Sequence, residues 1–229
     1  QNGQAAIAQR NYAGGVVSGI NLINEGTITL SGDDSTAIAG DFATISNNSS
    51  GIIEITGDKS VGLFGANSSL VTNAGTIDIK TAATGKSGVG IYGANRFDSS
   101  SMAYGSKGID ITNTGTIVYS GNANSTGIGI YLQNTEAALG AAKITLGAGS
   151  DIDMSNSKGG VGIFSEKGTI VINAGKITAR EGNTGIYAIG GSTVTSTGGE
   201  IDLYEKSVGV FLGNGSTYQS GNGKFVIYE

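Results

Sequence analysis

Short runs of alternating apolar and polar residues, each opened by a glycine, recur along the whole chain. In the first run, Ile28 and Leu30 flank Thr29. Alternation with a period of two predicts a β-strand that buries one face. The eight opening glycines are spaced by 25, 24, 40, 34, 26, 24 and 24 residues, so five of the seven steps share one period. The runs cover 26–30, 51–55, 75–79, 115–119, 149–154, 175–179, 199–203 and 223–227.

Two further apolar patterns keep the same phase as the glycine runs. One is a string of the type Val61-Gly62-Leu63-Phe64, and the other precedes the glycine run and often ends in asparagine, as at 70–73. Each period therefore carries three short strands, separated by residues that favour turns. The first string recurs at 89–92, 128–131, 161–164, 184–187 and 208–211, with a weaker copy at 36–39, and the second recurs at 20–24, 109–113 and 170–173.

Strands this short cannot bury an apolar face alone, but coiling them lets each strand pair with its copy one period later. The pattern predicts an all-β chain, a right-handed three-sided parallel β-helix (solenoid) with coils of about 24 residues. We expect residues 1–229 to form a single β-helix segment of a longer protein. The expected interior column is Ile28, Ile53, Ile77, Ile117, Ile152, Ile177 and Ile201. Leu30, Ile79 and Leu203 also point inward, and Thr29, Asp78 and Asp202 point outward.

Three residue types are expected to form columns along the solenoid. The glycine that opens each run suits a corner with positive φ. Asparagine side chains in one column can bond from coil to coil as a ladder, and the candidates are Asn24, Asn73, Asn113 and Asn173. The aromatic column is Phe64, Tyr92, Tyr131, Phe164, Tyr187 and Phe211. Strict alternation would place these aromatic side chains outside, whereas their large size favours burial at a bend. Stacked aromatic rings can bind the faces of sugars, but we prefer the interpretation that the column is structural.

The amino-acid composition excludes several classes of protein and one class of partner. The chain has 41 glycines, no proline, cysteine, tryptophan or histidine, and 38% hydrophobic residues, which excludes collagen-like, disulfide-rich and disordered classes. The net charge is −5 and the 13 Lys and Arg residues are scattered, so we expect no nucleic-acid partner. The absence of cysteine fits export through an oxidising compartment.

Two consecutive long steps predict inserted loops. Longer corners fall at 80–88, 93–108, 120–127 and 132–143, and the second and fourth leave the same corner in neighbouring coils. Insertions on one face of a solenoid often make its binding surface, with neutral decoration as the alternative. The candidate ligand-binding residues are Arg96, Phe97, Asp98, Met102 and Tyr104 on one loop and Gln133, Asn134 and Glu136 on the other. A short helical turn is expected within 135–142.

The amino-acid sequence gives little support for a catalytic function. Without histidine and cysteine the usual nucleophile and base pairs are missing, so we expect no catalytic residue, cofactor or metal. The carboxylate pairs, Asp33 with Asp34 and Asp151 with Asp153, match no calcium loop and are interpreted as solvated corners. A polysaccharide-degrading β-helical enzyme that uses Asp98, Asp110 or Arg96 is the alternative class.

The phased strings, such as 73–77 (NAGTI) with 60–64 (SVGLF), resemble the passenger domains of Gram-negative autotransporters (type V secretion), most closely the large fusobacterial outer-membrane adhesins. The resemblance covers residues 20–229 and implies a rod displayed on the cell surface after export through the outer membrane. It also implies membrane anchoring only through a C-terminal barrel outside this chain. The implied partner is a host-cell or bacterial surface protein or glycan, and a pure spacer between other segments is the alternative role.

Overall fold

A computed structural model describes residues 3–10, 20–95, 108–134 and 141–228, and these ranges form 24 β-strands in three sheets. Strands are numbered in chain order. Sheet A contains β1 (Ala5–Arg10), β4 (Thr36–Asp41), β7 (Ser60–Ala66), β10 (Ser87–Asn95), β13 (Thr126–Asn134), β16 (Val161–Glu166), β19 (Thr184–Ile189) and β22 (Val208–Leu212). Sheet B contains β2 (Asn21–Asn24), β5 (Thr44–Asn47), β8 (Leu70–Asn73), β11 (Asp110–Asn113), β14 (Lys143–Leu146), β17 (Thr169–Ile172), β20 (Thr193–Ser196) and β23 (Thr217–Ser220). Sheet C contains β3 (Thr27–Leu30), β6 (Ile52–Ile55), β9 (Thr76–Ile79), β12 (Thr116–Tyr119), β15 (Asp151–Asp153), β18 (Lys176–Ala179), β21 (Glu200–Tyr204) and β24 (Lys224–Tyr228).

Every strand pairs in parallel with its copy one coil away. Each sheet has eight strands, and successive members are three strands apart in the chain, as in the order β3, β6, β9 and β12 of sheet C. Because each turn of the chain contributes one strand to each sheet, the molecule is a three-sided parallel β-helix. The predicted architecture is confirmed, including its coil length of about 24 residues.

The interior is a line of aliphatic side chains along the helix axis. The predicted isoleucine column is present: Ile28 pairs with Ile53, and the column runs in register through Ile77 to Ile201. Ile53 and Ile77 are fully buried. Phe225 continues the column in the last strand and is 44% exposed because the described chain places no further coil over it.

The expected outward position of Asp202 needs correction, because its side chain is completely buried. Alternation gives the direction of a side chain but not what covers it. Lys176, on the preceding strand of sheet C, places Nζ 2.6 Å from Asp202 Oδ2. Asp202 Oδ1 has no hydrogen-bond partner among the described residues. The carboxylate is thus held as one half of an ion pair, whereas Asp78 at the equivalent register is half-buried and Thr29 is exposed.

The prediction that the opening glycines occupy corners with positive φ is wrong at most positions. Among the eight, only Gly149 and Gly199 have positive φ, at 85° and 80°. At Gly75 an added Cβ would meet the carbonyl oxygen of Gly51 in the preceding coil, and at Gly115 it would meet that of Gly75. Close approach of successive coils, and not a left-handed backbone, requires glycine there.

A buried asparagine ladder lies at the end of sheet B. Asn24 Nδ2 donates to Asn47 Oδ1 at 2.8 Å, Asn47 Nδ2 to Asn73 Oδ1 at 2.9 Å, and Asn73 Nδ2 to Asn113 Oδ1 at 2.7 Å. The ladder ends where Asn113 Nδ2 donates to Ser150 Oγ. Asn47 was missing from the predicted set.

Asn173 does not belong to the asparagine ladder, contrary to the prediction. The register pairs Asn113 with Leu146 and Leu146 with Ile172, and Ser196 and Ser220 take the last two places in the column. Asn173 follows the end of β17 and is exposed, where its Oδ1 accepts a hydrogen bond from Thr197 Oγ1 at 2.9 Å.

Candidate functional site

The strands of sheet A depart from strict alternation at a column of glycines. In β10, Gly90 and Ile91 are both buried, whereas Val89 and Tyr92 are half-buried and lie outside the core. An added Cβ on Gly90 would lie 2.6 Å from the carbonyl oxygen of Gly129 in the next coil. The same approach, 2.6 to 2.7 Å, recurs at Gly62, Gly129, Gly162 and Gly185. Two inward positions in succession turn the residues on both sides outward, so one sheet presents two apolar columns to solvent.

The two outward columns run side by side from β7 to β22, and we call them the apolar face of sheet A. Within β10 and β13, Val89 pairs with Ile128 and Tyr92 with Tyr131. The aliphatic column is Val61, Val89, Ile128, Val161 and Val208, with Thr184 in the fifth coil of the series. The aromatic column is Phe64, Tyr92, Tyr131, Phe164, Tyr187 and Phe211.

The rings of the aromatic column pack against one another along the whole series. Ring centroids of neighbours are 4.6 to 5.4 Å apart, and three pairs are stacked within 17° of parallel: Tyr92 with Tyr131, Phe164 with Tyr187, and Tyr187 with Phe211. The Tyr131 and Phe164 rings meet edge to face at 79°. A stacked ring has its faces covered by its neighbours and offers its edge to solvent. The geometry therefore favours a structural column over a row of platforms for sugar faces.

Polar groups border the aromatic column at its centre. Tyr92 OH donates a hydrogen bond of 2.8 Å to Gln133 Oε1. Burial raises the pKa of the Tyr131 hydroxyl, and Tyr92 and Glu166 raise it further. Since a phenol ordinarily titrates near pH 10, Tyr131 stays neutral at physiological pH.

Gln133 and Asn134 are the predicted ligand-binding residues that the structure describes, and they end β13. Gln133 is half-buried beside Tyr92, whereas Asn134 is buried. Asn95 Nδ2 donates to Asn134 Oδ1 at 3.0 Å, and Asn134 Nδ2 donates to the carbonyl oxygen of Lys167 at 3.0 Å. Asn134 thus holds the corner together, and Gln133 is the residue whose side chain reaches the surface.

The starting points of the two inserted loops are neighbours. β10 and β13 have nine residues each, more than the other strands described, and they pair up to Asn95 and Asn134. The segments inserted at 96–107 and 135–140 follow these two asparagines directly in the chain. Arg96, Phe97, Asp98, Met102, Tyr104 and Glu136 lie outside the described residues, as does most of the helical turn expected within 135–142.

The carboxylates that the sequence analysis singled out lie on strands or take part in hydrogen bonds and ion pairs within the solenoid. Asp33 accepts a hydrogen bond of 2.8 Å from the Asp58 amide and lies 3.2 Å from Lys86 Nζ, and both contacts lower its pKa. Asp151 and Asp153 lie on β15 and not in a corner as predicted. Burial raises the pKa of Asp151, with a further contribution from Asp153. Among residues 3–10, 20–95, 108–134 and 141–228, no three potential metal ligands come together.

Asp110, the described residue of the alternative catalytic set, stands on the outer side of sheet B. It is exposed and pairs in register with Leu70 on one side and Lys143 on the other. A glycosidase needs two carboxyl groups facing each other across the scissile bond, and the neighbouring register positions supply none here.

Within the described part of the chain, no helix is long and apolar enough to cross a membrane.

Comparisons with known proteins found no relative of this chain. No protein-family model, curated protein or solved structure matches it.

Proposed function

We propose that this chain is a segment of a surface-displayed adhesin, a rigid rod that mediates or supports attachment to host cells or to other bacteria. The observation that carries the proposal is the inserted corner of the solenoid, where β10 and β13 extend side by side and two loops depart from adjacent asparagines. The repeat strings that resemble autotransporter passenger domains give the proposal its cellular setting.

The uniform stack supports a role as a rod. Each inner strand bonds to a copy on both sides, and the buried isoleucine column continues from coil to coil without a break. Eight coils at about 4.8 Å each make a rod of roughly 38 Å. Because neighbouring coils share backbone bonds and core contacts, the segment resists bending and holds whatever it carries at a fixed distance from its base.

The inserted corner supports a role in contact with a partner. Loops on a rigid scaffold can vary in sequence without disturbing the core, which is why binding residues concentrate there. Here the Asn95 and Asn134 side chains fix the starting points of both loops relative to each other. Gln133 is half-buried at the same corner, so a partner that binds the loops also meets the border of the apolar face.

Attachment of beads coated with the chain to host cells and to other bacteria tests the proposal. The parent should attach above background, and a variant in which 96–107 and 135–140 are shortened to the length of the compact corner at 67–69 should attach less. A variant with Ser68→Ala serves as the control. A parent that does not attach would favour the spacer role, and turnover of a polysaccharide by the parent would favour the enzyme alternative.

A further inference from the structure

Glycine follows asparagine at two corners that the structure describes, and both asparagines are exposed. Asn214 and Gly215 lie between β22 and β23, and Asn222 and Gly223 lie between β23 and β24. Asparagine is chemically labile where the next backbone nitrogen can reach its side-chain carbonyl carbon, Cγ. Glycine allows this approach most readily, because it has no side chain and its backbone rotates most freely. Both corners have the composition of a deamidation site, and their backbone conformations decide which of them reacts.

A hydrogen-bonded turn holds Asn214 away from the reactive geometry. Asn214 and Gly215 have φ of 51° and 77°, the pair of positive values that a type I′ turn requires. The Ser216 amide donates to the carbonyl oxygen of Gly213 at 3.3 Å, and Ser216 Oγ donates to the same oxygen at 2.8 Å. With the ψ of about 30° that such a turn gives its first central residue, the Gly215 nitrogen points away from the Asn214 Cβ. The five-membered ring of the reaction cannot close unless the turn opens.

The corner at Asn222 is held only on either side of the Asn-Gly pair. The φ of Asn222 is not positive. The Gly221 amide donates to a carbonyl oxygen of the preceding coil at 2.6 Å, and the Lys224 amide donates to another at 3.0 Å. Among the described residues, the amides of Asn222 and Gly223 donate no backbone hydrogen bond. The peptide unit between them can therefore rotate and bring the Gly223 nitrogen to Asn222 Cγ without the loss of such a bond.

We propose that Asn222 is a site of spontaneous deamidation, whereas the turn protects Asn214. The Gly223 amide nitrogen gives its proton to hydroxide and attacks Cγ of Asn222. A nitrogen–carbon bond forms, the bond from Cγ to Nδ2 breaks, and the side-chain amide leaves as ammonia after it takes a proton from water. Water then opens the cyclic imide at either carbonyl, and the product is aspartate or isoaspartate.

Close packing retains the glycine that makes Asn222 labile. An added Cβ at Gly223 would collide with Ser196 Oγ in the preceding coil. Asn222 also lines an open cleft with three charged residues, Lys176, Glu200 and Lys224. The product carboxylate adds a negative charge to this cleft, and isoaspartate also lengthens the main chain ahead of β24. The reaction therefore changes both the charge and the backbone at one corner of the rod.

Peptide mass mapping after incubation at mildly alkaline pH measures the reaction at both corners. The folded chain is compared with the same chain unfolded in guanidinium chloride, and incubation continues until each pair has half reacted in the unfolded sample. In the folded chain, Asn222 should react at least about tenfold faster than Asn214, because opening the turn costs two hydrogen bonds. In the unfolded chain the two asparagines should react at similar rates, since the turn is absent.

Two variants identify the product. Asn222→Asp carries the charge of the deamidated chain and gives its retention on ion exchange. Asn222→Gln keeps an amide, but its longer side chain would have to form a larger ring, so the folded variant should form the acidic species at least about tenfold more slowly than the parent. Thermal melts confirm that both variants are folded.

Three results would overturn the proposal. The first is an Asn222 that keeps its amide in the folded chain while it reacts in the unfolded one. The second is equal reaction of Asn214 and Asn222 in the folded chain, which would deny the turn its protective role. The third is an acidic species that forms in Asn222→Gln as fast as in the parent. Attachment to cells is a separate readout, so failure here leaves the proposed adhesive role untouched.

Discussion

Asn73 Nδ2 donates to Asn113 Oδ1 at 2.7 Å although 40 residues of chain separate the two side chains, the longest step in the repeat. The bond is as short as its neighbours in the ladder, whose partners are 23 and 26 residues apart. The additional residues between Asn73 and Asn113 therefore leave the spacing of the ladder unchanged. Insertions in this fold add chain at a corner without any change in the distance between coils.

Asn73→Ala should destabilise the protein by about 2 to 4 kcal/mol, because it leaves Asn47 Nδ2 and Asn113 Oδ1 buried without their ladder partners. Urea unfolding followed by circular dichroism measures the loss. Asn173→Ala is the matched control, since Asn173 is exposed, and it should change the free energy of unfolding by no more than about 0.5 kcal/mol. Equal losses in the two variants would contradict the assigned ladder.

Ile77→Asp should unfold the neighbouring coils, since Ile77 is fully buried and an unpaired carboxylate there costs several kcal/mol. Asp78→Asn, one residue further on, should cost less than about 1 kcal/mol, because Asp78 faces outward and is only half-buried. Thermal melts of both variants check the inside and outside assignment, and similar melting temperatures would refute it.

Gly90→Ala should destabilise the protein by about 1 to 3 kcal/mol, because the new Cβ meets the carbonyl oxygen of Gly129 at 2.6 Å and the backbone must shift. Gly26→Ala is the control, as an added Cβ has open space there and φ is not positive. Its free energy of unfolding should stay within about 0.5 kcal/mol of the parent. Chemical denaturation distinguishes close packing of coils from a general intolerance of alanine at glycine positions.

Asp151→Asn should raise the melting temperature at neutral pH. Burial and Asp153 raise the pKa of Asp151 above its ordinary value of 3.8, so the folded state binds the proton more tightly than the unfolded state. The resulting stability is present below pH 3.8 and is lost as the pH rises through the folded-state pKa, which penalises the ionised carboxylate at neutral pH. Asparagine avoids that penalty.

A pH series of melts for the parent and for Asp151→Asn measures this difference, which should disappear below pH 3.8. Asp153→Asn is the control, because its Oδ1 accepts a hydrogen bond from the Ser155 amide at 2.8 Å and asparagine keeps that acceptor. An Asp151→Asn variant that melts below the parent at neutral pH would show that attraction to Lys176 outweighs burial.

Phe97→Ala with Tyr104→Ala should weaken the attachment of coated beads to cells, since aromatic side chains on the inserted loop are the expected anchors. The melting temperature should stay nearly unchanged, because the alternating repeat that supplies the buried columns includes neither residue. Ser68→Ala is the control, and attachment equal to the parent in the double variant would move the contact elsewhere on the rod.

The repeat made the fold predictable, because strands that pair with their own copies must share a period and a register. The ladder was predicted in part, since Asn47 closes a string that begins with Thr44 and lacks the apolar start of the other copies. The outward direction of both Val89 and Tyr92 was not predictable from alternation, because the rule assumes a regular pleat and Gly90 interrupts it. Burial of Asp202 depends on Lys176 in another coil, and no local pattern contains that pairing.

The side chains along the sheet B corner change from asparagine, up to Asn113, to Leu146 and Ile172 and then to Ser196 and Ser220. Amide bonds such as Asn47 to Asn73 are directional, whereas aliphatic contacts such as Leu146 to Ile172 are not. In the coils from Asn24 to Asn113, side-chain amides therefore fix the register of neighbouring coils in addition to the backbone bonds of sheet B.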